Sequence, residues 1–245
     1  MDLNCNFSLQ HYFEVLDHAK KSYAIGPIKE LHKLKKKNQF LIMRHDVDFS
    51  IDQALEMAKL ESEHNICSTY FILLHSPYYN ALSEQNIKKI RKFLELGHEI
   101  GLHYDMIFAE YNNQILKMVN NEANLLSNMI GEKIISIAPH CVSMAMKKID
   151  HKNIKFIDAT NPKILNSVKY ISDSVQNWRD GCMCNHIDRE KNLIILTHPI
   201  WWQKYHNSRN SILQKFGESQ IKAINELLKE TKKLQEIHLK KLQKR

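Results

Sequence analysis

Short apolar runs alternate with helical stretches along nearly the whole chain, and that alternation limits the fold more than any other feature. The strands read 40–47 (FLIMRHDV), 66–74 (ICSTYFILL), 98–103, 133–138, 154–158, 168–172 and 193–197. Residues 8–20, 27–37, 50–64, 83–96, 111–130 and 218–243 read as helices. Ser50 with Gln53 three residues later is a capping box, Ser83 opens the next helix, and Gly131 closes the long one. Strands alternating with helices predict a parallel α/β sheet, and near-continuous apolar strands predict cover on both faces. About seven such units in 245 residues predict a barrel, closed or incomplete, rather than an open Rossmann sheet. No GxGxxG or GxxxxGK[ST] occurs, which argues against dinucleotide or P-loop nucleotide binding. The expected organisation is a single domain over 1–245, with N-terminal helices in 1–37, a core at about 38–202 and an amphipathic C-terminal helix in 218–245.

The net charge of +8 sits in two places. Residues 29–37 carry five Lys and one Glu, and residues 218–245 carry seven Lys, one Arg and four Glu, so each contributes +4 and the remainder is neutral. Aromatic residues are not interleaved with these charges, so they read as solvated helix faces and no nucleic-acid partner is expected. No apolar run reaches the roughly 18 residues of a membrane span, and the first residues, MDLNCNFSLQHYF, lack the basic-then-apolar pattern of a signal peptide. A cytoplasmic location and reduced thiols are therefore expected. Five cysteines occur without paired CxxC motifs. Cys182-Met183-Cys184 with His186 lacks the second pair that a zinc knuckle needs, so it is not expected to bind metal.

Barrel enzymes place their chemistry at the C-terminal ends of parallel strands. Four predicted strand ends are polar here: Arg44-His45-Asp46-Val47-Asp48, His103-Tyr104-Asp105, Pro139-His140 and Thr197-His198-Pro199. Strand periodicity puts Arg44, Asp46 and Asp48 on one face. Two carboxylates so close together need a positive partner, and a divalent cation supplies one. Asp46, Asp48, His103, His140 and His198, each at a strand end, are together the donor set of a catalytic zinc site or a related metal site.

The residues Arg44–Asp48, Ser68-Thr69-Tyr70-Phe71-Ile72, Gly97-His98-Glu99-Ile100-Gly101-Leu102-His103-Tyr104, Pro139-His140, Asp173-Ser174 with Trp178-Arg179, and Leu196-Thr197-His198-Pro199 resemble the NodB-homology polysaccharide deacetylases, carbohydrate esterase family 4. The resemblance is closer to their divergent HDVD branch, the WbmS-like proteins of surface-polysaccharide clusters. It spans about residues 40–202. It implies a distorted (β/α) barrel of about seven parallel strands, with a divalent metal, expected to be zinc, held by Asp-His-His. Asp46 matches the catalytic base, Asp48 the ligand, His103 the first histidine ligand and His198 the general acid, while His98 matches a histidine that is not a ligand. The second histidine of the family pattern falls on Ile107, leaving His140 or Asp105 to complete the set. The family's arginine beside the base falls on Ile137, and Arg44 is positioned to substitute for it. Asp173 and Trp178 are expected at the rim, holding His198. Trp201 and Trp202 are either core or a sugar-stacking platform, and His75, Tyr78 and Tyr79 are further rim residues. The remaining histidines, His11, His18, His32, His64, His151, His206 and His238, read as surface or packing residues. The implied activity is metal-dependent removal of an N-acetyl or N-formyl group from an amino sugar in surface-polysaccharide synthesis. The alternative is an inactive, carbohydrate-binding relative.

Overall fold

The computed structural model describes residues 5–111, 114–140 and 154–242; His151 lies outside the described residues. Among the described residues, eight α-helices and eight strands follow one another: α1 (Leu9–Ala19), β1 (Ala24–Gly26), α2 (Leu31–Leu34), β2 (Phe40–Val47), α3 (Ile51–Glu63), β3 (Thr69–Leu73), α4 (Glu84–Glu95), β4 (Glu99–Asp105), α5 (Met106–Tyr111), α6 (Ile115–Ile130), β5 (Ser136–His140), β6 (Ile157–Asp158), α7 (Pro162–Leu165), β7 (Lys169–Ser172), β8 (Asn192–Thr197) and α8 (Arg209–Leu242). The strands pair in the order β6-β5-β4-β3-β2-β8-β7, with β1 added to β2, and each of these pairings is parallel. This is the expected distorted (β/α) barrel. It stays open, because β6 and β7 end the order and are not paired to each other among the described residues.

Side-chain alternation divides the core in two. Tyr70, Ile72, Ile100, Leu102, Tyr104 and Ile137 face outward and pack under α3, α4 and α6. Ile42, Phe71, Ala138 and Ile194 face inward with Ile157 and Tyr170 against them, a grouping that draws on both edges of the sheet and so requires it to curl. Ile28, Leu31 and Leu34 join this inner cluster. Polar contacts hold them there: the Ile28 amide donates to Thr69 Oγ1 and the Lys29 amide to Glu99 Oε2, at 2.8 Å each. His32 and the lysines at 33 and 35–37 stay exposed, as a solvated face requires.

The helix ends follow local chemistry. Ser8, Ser50 and Ser83 each accept an amide hydrogen bond from the third residue on. The reciprocal arm of the capping box is missing, since Gln53 Oε1 is buried without a partner among the described residues. Gly131 closes α6 at φ 80°, in the left-handed region. The chain divides into two compact units, residues 1–206 and 207–245. The C-terminal helix starts at Arg209 rather than near 218. The sequence predicts an apolar stripe on this helix, Ile221, Ile224, Leu228, Leu234 and Ile237, packed on the barrel or on a partner chain; each of the five is more than half exposed.

Outward-facing polar groups on β2 and β3 form a buried cluster around Glu61 of α3. Glu61 Oε1 accepts from Tyr12 OH and from His45 Nε2 (3.0 Å), and Oε2 accepts from Tyr70 OH at 2.8 Å. The other His45 ring nitrogen meets Thr197 Oγ1 of β8 at 2.7 Å. His98 lines the cluster as a neutral ring: Nε2–H donates to the Ala58 carbonyl, Nδ1 accepts from the Ser68 amide, and burial lowers its pKa. Burial alone would raise the Glu61 pKa, but His45 and the hydrogen bonds outweigh it and bring the carboxyl down to about 2.

A glycine is required at position 101. An added Cβ would lie 2.4 Å from Phe71 Cε1 and 2.8 Å from Ser136 Oγ. Gly101→Ala is expected to destabilise by about 1–3 kcal/mol through overpacking. Adding Phe71→Leu should recover part of that loss, and chemical denaturation of both single variants and the double variant measures the coupling. Strict additivity would show that the two positions do not compete for space.

Glu61 also predicts an acid limb in stability. A folded-state pKa of about 2 lies below the ordinary carboxylate value, so this stabilisation is present above about pH 4.5 and is lost as pH falls through about 2. Unfolding free energy measured across that window should drop by roughly 3 kcal/mol more in the parent than in Glu61→Gln.

Candidate active site

Six side chains meet where β2, β4, β5 and β8 end. Arg44 and Asp46 face inward from β2 and are 1% and 4% exposed. Arg44 Nη2 donates to both Asp46 oxygens at 2.8 Å, and the guanidinium lies 4.9 Å from the Phe71 ring centroid. Burial alone would raise the Asp46 pKa; the guanidinium outweighs it and holds the carboxyl below the usual range.

Asp48 follows β2 immediately. Its backbone is pinned by Ser76 Oγ donating to the Asp48 carbonyl (2.8 Å) and Tyr79 OH donating to the Val47 carbonyl (2.5 Å). Asp48 Oδ1 lies 3.3 Å from His103 Nε2 and 3.4 Å from His140 Nδ1, and those two nitrogens are 3.2 Å apart. His103 Nδ1 donates to the Ala138 carbonyl at 2.9 Å, which directs Nε2 toward Asp48. Asp48 Oδ1 is buried with no aligned hydrogen-bond donor among the described residues. One carboxylate oxygen and two imidazole nitrogens thus converge within 4.8 Å of one another, a set that fits a divalent cation. The Ala138 carbonyl behind His103 is the kind of outer contact that orients a ligating histidine. Even without a cation, His103 and His140 overcome burial and hold the Asp48 carboxyl well below the usual range.

The other candidate for the third donor is occupied elsewhere. Asp105 Oδ1 accepts the Ile107 and Phe108 amides at 2.8 and 3.1 Å and caps α5. Ile107, four residues beyond His103, is 47% exposed on that helix.

His198 follows β8 and faces Asp48 from the opposite side, Nε2 to Oδ2 at 3.7 Å. Asp173, after β7, holds it: Asp173 Oδ1 accepts from His198 Nδ1 at 2.7 Å and from its amide at 3.0 Å. Trp202 Nε1 donates to Asp173 Oδ2 at 2.8 Å. Burial would lower the His198 pKa, but Asp173, with Asp48 and Asp46 beyond it, raises it to about 9.

Asp173, expected at the rim, is not at the surface, and of the two readings for Trp201 and Trp202 the structure takes the core one. Asp173 is fully buried, and its contacts are with His198 and Trp202. Trp202 is 4% exposed and packs against Phe7, Tyr12 and Trp178, so it steadies Asp173 rather than presenting a face. Trp201 is equally buried, its ring tilted 5.9 Å from Phe49. Trp178 is half-buried and stacks on Phe7. Phe49, the residue after Asp48, stacks on the exposed Tyr78 (4.7 Å), and His75 stacks on the exposed Phe108 (4.1 Å). Phe49 and Phe108 carry no motif; their one signal in the sequence is that each follows a polar strand end.

No family model matches the sequence, and no curated protein matches it. Among solved structures, the chain is similar to the polysaccharide deacetylase Bc1974 from Bacillus cereus, with a TM-score of 0.48 and 16% identity over 76% of this chain and 89% of that one. It is also similar to the Xyl-CE4 domain of a multidomain xylanase from the hindgut metagenome of Trinervitermes trinervoides (TM-score 0.46, 12% identity, 78% and 85% covered). A third is BA3943, a CE4 family pseudoenzyme from Bacillus anthracis (TM-score 0.44, 12% identity, 75% and 62% covered).

The donor geometry makes a divided prediction for metal content. His103→Ala and His140→Ala should each lose the metal of this site, one equivalent per chain by elemental analysis of protein purified at neutral pH. Asp105→Ala should keep its metal and lose about 0.5–2 kcal/mol of stability with the α5 cap. Loss of metal in Asp105→Ala with retention in His140→Ala would reverse the assignment.

Proposed function

We propose that the protein is a metal-dependent hydrolase of an N-acyl group on an amino sugar, with Asp46 as base, His198 as acid and Asp48, His103 and His140 as ligands. The observation that carries this reading is that an acid and a base flank one donor set: Asp46 Oδ2 lies 3.6 Å from His103 Nε2, and His198 Nε2 lies 3.7 Å from Asp48 Oδ2. A divalent ion held by the three ligands, zinc being the one their chemistry favours, supplies Lewis acidity toward the acyl oxygen and makes a water more acidic. Asp46, kept ionised by Arg44, accepts the proton from the attacking water. The water oxygen bonds to the acyl carbon, the C–N bond breaks, and His198 Nε2 gives its proton to the departing nitrogen. Asp173 fixes His198 with Nδ1 protonated, so the mobile proton is at Nε2. The products are a carboxylate and a free amine, and no residue is acylated.

The Phe49–Tyr78 pair, whose Phe49 follows Asp48 in the chain, supports a saccharide substrate, because sugar rings pack on exposed aromatic faces. The sequence resemblance supports an N-acetyl or N-formyl amino sugar of surface-polysaccharide synthesis. No helix among the described residues is long and apolar enough to cross a membrane. The alternative, a saccharide-binding relative without catalysis, draws its support from the isoleucine at 107. His140 beside His103 and Asp48 provides a second nitrogen, which favours the hydrolase.

Asp46→Asn should retain metal and lose about 10²–10⁴-fold in kcat/KM toward an N-acetylated amino sugar that the parent hydrolyses. Asp48→Asn should lose both the metal of this site and activity. Full activity in Asp46→Asn would remove the proposed base.

The pH profile supplies a second check. With Asp46 ionised and His198 protonated, kcat/KM should be bell-shaped, its acid limb set by Asp46 and its alkaline limb by His198. The groups facing His198 are Asp173, Asp48 and Asp46, and a bound cation brings its pKa down from about 9. Asp173→Asn removes a negative charge that stabilises the imidazolium, so the alkaline limb should move to lower pH while metal content stays constant. An unmoved limb would detach His198 from proton donation.

A further inference from the structure

A second set of soft donors gathers where the N-terminal segment meets the turn at 182–184. Cys5 Sγ lies 3.2 Å from Cys184 Sγ, and His11 Nε2 lies 3.1 Å from Cys182 Sγ. The four ligating atoms are all within 4.8 Å of one another. In a tetrahedral zinc site, metal–sulfur bonds near 2.3 Å and metal–nitrogen bonds near 2.0–2.1 Å put neighbouring ligand atoms about 3.5–3.8 Å apart. The observed spacings approach that arrangement. The sulfur–sulfur contact is far beyond the roughly 2.05 Å of a disulfide bond.

The backbone presents these atoms through two built features. Gly181, at φ 85°, turns the chain into Cys182, and the fully buried Met183 anchors the turn between the two cysteines. On the other side, Ser8 Oγ accepts the His11 amide and fixes the first turn of α1. The Leu9 amide donates to the Gln203 carbonyl at 2.8 Å, holding that segment in place. His11 is 2% exposed, and its Nδ1 has no partner among the described residues, so the thiol of Cys182 is the ring's polar contact. A thiol is a weak hydrogen-bonding group, and alone it satisfies a buried imidazole poorly.

We propose that Cys5, His11, Cys182 and Cys184 form a second metal centre, a closed Cys₃His site for Zn²⁺ that pins the N-terminal segment to the 182–184 turn. Four protein ligands fill the tetrahedral shell, so the centre is structural, unlike the Asp48–His103–His140 set with its open position. Binding releases three thiol protons to solvent, leaves His11 neutral and requires no oxidant. The Cys182-x-Cys184 pair lacks a partner pair in its own sequence neighbourhood; the fold supplies it from residues 5 and 11. His186, the nearby histidine in sequence, is directed elsewhere, its Nε2 to the Asp180 carbonyl at 2.9 Å.

Cobalt substitution separates the two centres, because only this one contains sulfur. The full chain, purified reduced and reconstituted with Co²⁺, should show thiolate-to-cobalt charge transfer in the near ultraviolet. The His103→Ala variant should keep the band, and the Cys182→Ser/Cys184→Ser variant should lose it along with one bound zinc per chain. Cys5→Ser alters an exposed residue and tests the site even where the double variant fails to fold; its zinc affinity, measured by chelator competition, should fall by at least about tenfold. A reduced parent without the band, a band that survives in the double variant, a Cys5→Ser protein of unchanged zinc affinity, or a Cys5–Cys184 disulfide in protein prepared with zinc would each overturn the proposal.

Discussion

The buried pairing of Arg44 with Asp46 is the interaction on which the inner face depends. A guanidinium cannot shed its charge at accessible pH, so one that is 1% exposed must be matched where it lies. Asp46 accepts from it with both oxygens, and the Phe71 ring supports it from one side. Removing either partner from such a pair leaves an uncompensated buried charge, at about 3–5 kcal/mol. The ring in turn occupies the space that a side chain at 101 would need, so Gly101, Phe71, Arg44 and Asp46 form one packed series. That series also distinguishes two carboxylates only two residues apart. Asp46 is matched by the arginine, and Asp48 faces three imidazoles.

The same strand carries the opposite duty on its other face. His45 lies between Arg44 and Asp46 and points outward to Glu61 and Thr197, which joins β2 to α3 and β8. Tyr12 of α1 and Tyr70 of β3 bring two more elements to the same carboxylate. Every residue of β2 is buried, so neither polar set has water to fall back on; the outward set is closed by protein partners, whereas on the inward face only Arg44 Nη2 is hydrogen-bonded and Nε and Nη1 have no partner among the described residues. A shift of β2 by one residue would exchange the two sets and leave both unmatched, so the register of this strand is strongly specified.

What the sequence revealed and what it hid follow from how local each signal is. Ser8, Ser50, Ser83 and Gly131 act within a few residues of themselves, and the helix ends they mark stand where expected. The clustering of His103, His140 and His198 with Asp48 was legible because parallel strands put their C-terminal ends on one side. β1 was not legible: three residues form a strand only because β2 lies alongside and the Thr69–Glu99 pair holds the next residues. Glu61 reads as one more charged position on an amphipathic helix, and only the arrival of Tyr12, His45 and Tyr70 makes it a buried hub. The start of α8 was hidden by Gly217, which reads as a break but sits inside a continuous helix. The burial of Asp173 was hidden, and the choice between core and platform for Trp201 and Trp202 left open, for a related reason: strand-end position does not say whether a side chain turns toward the mouth or beneath it.

That last distinction gives the acid side of the site its character. His198 is oriented by Asp173, Asp173 by Trp202, and Trp202 by aromatic contacts that begin with Phe7. Phe7 belongs to a short N-terminal stretch whose backbone joins the chain after His198: Leu9 donates to the Gln203 carbonyl, and Gln203 to the Phe7 carbonyl. Asp46, Asp48, His103 and His140, the proposed base and ligands, by contrast stand on or immediately after β2, β4 and β5 and take their positions from the sheet ladder. The two halves of the proposed chemistry therefore rest on supports of different kinds. The proposed cation site takes its geometry from the sheet, whereas the placement and pKa of His198, the proposed proton donor, follow from how firmly the N-terminal segment is held.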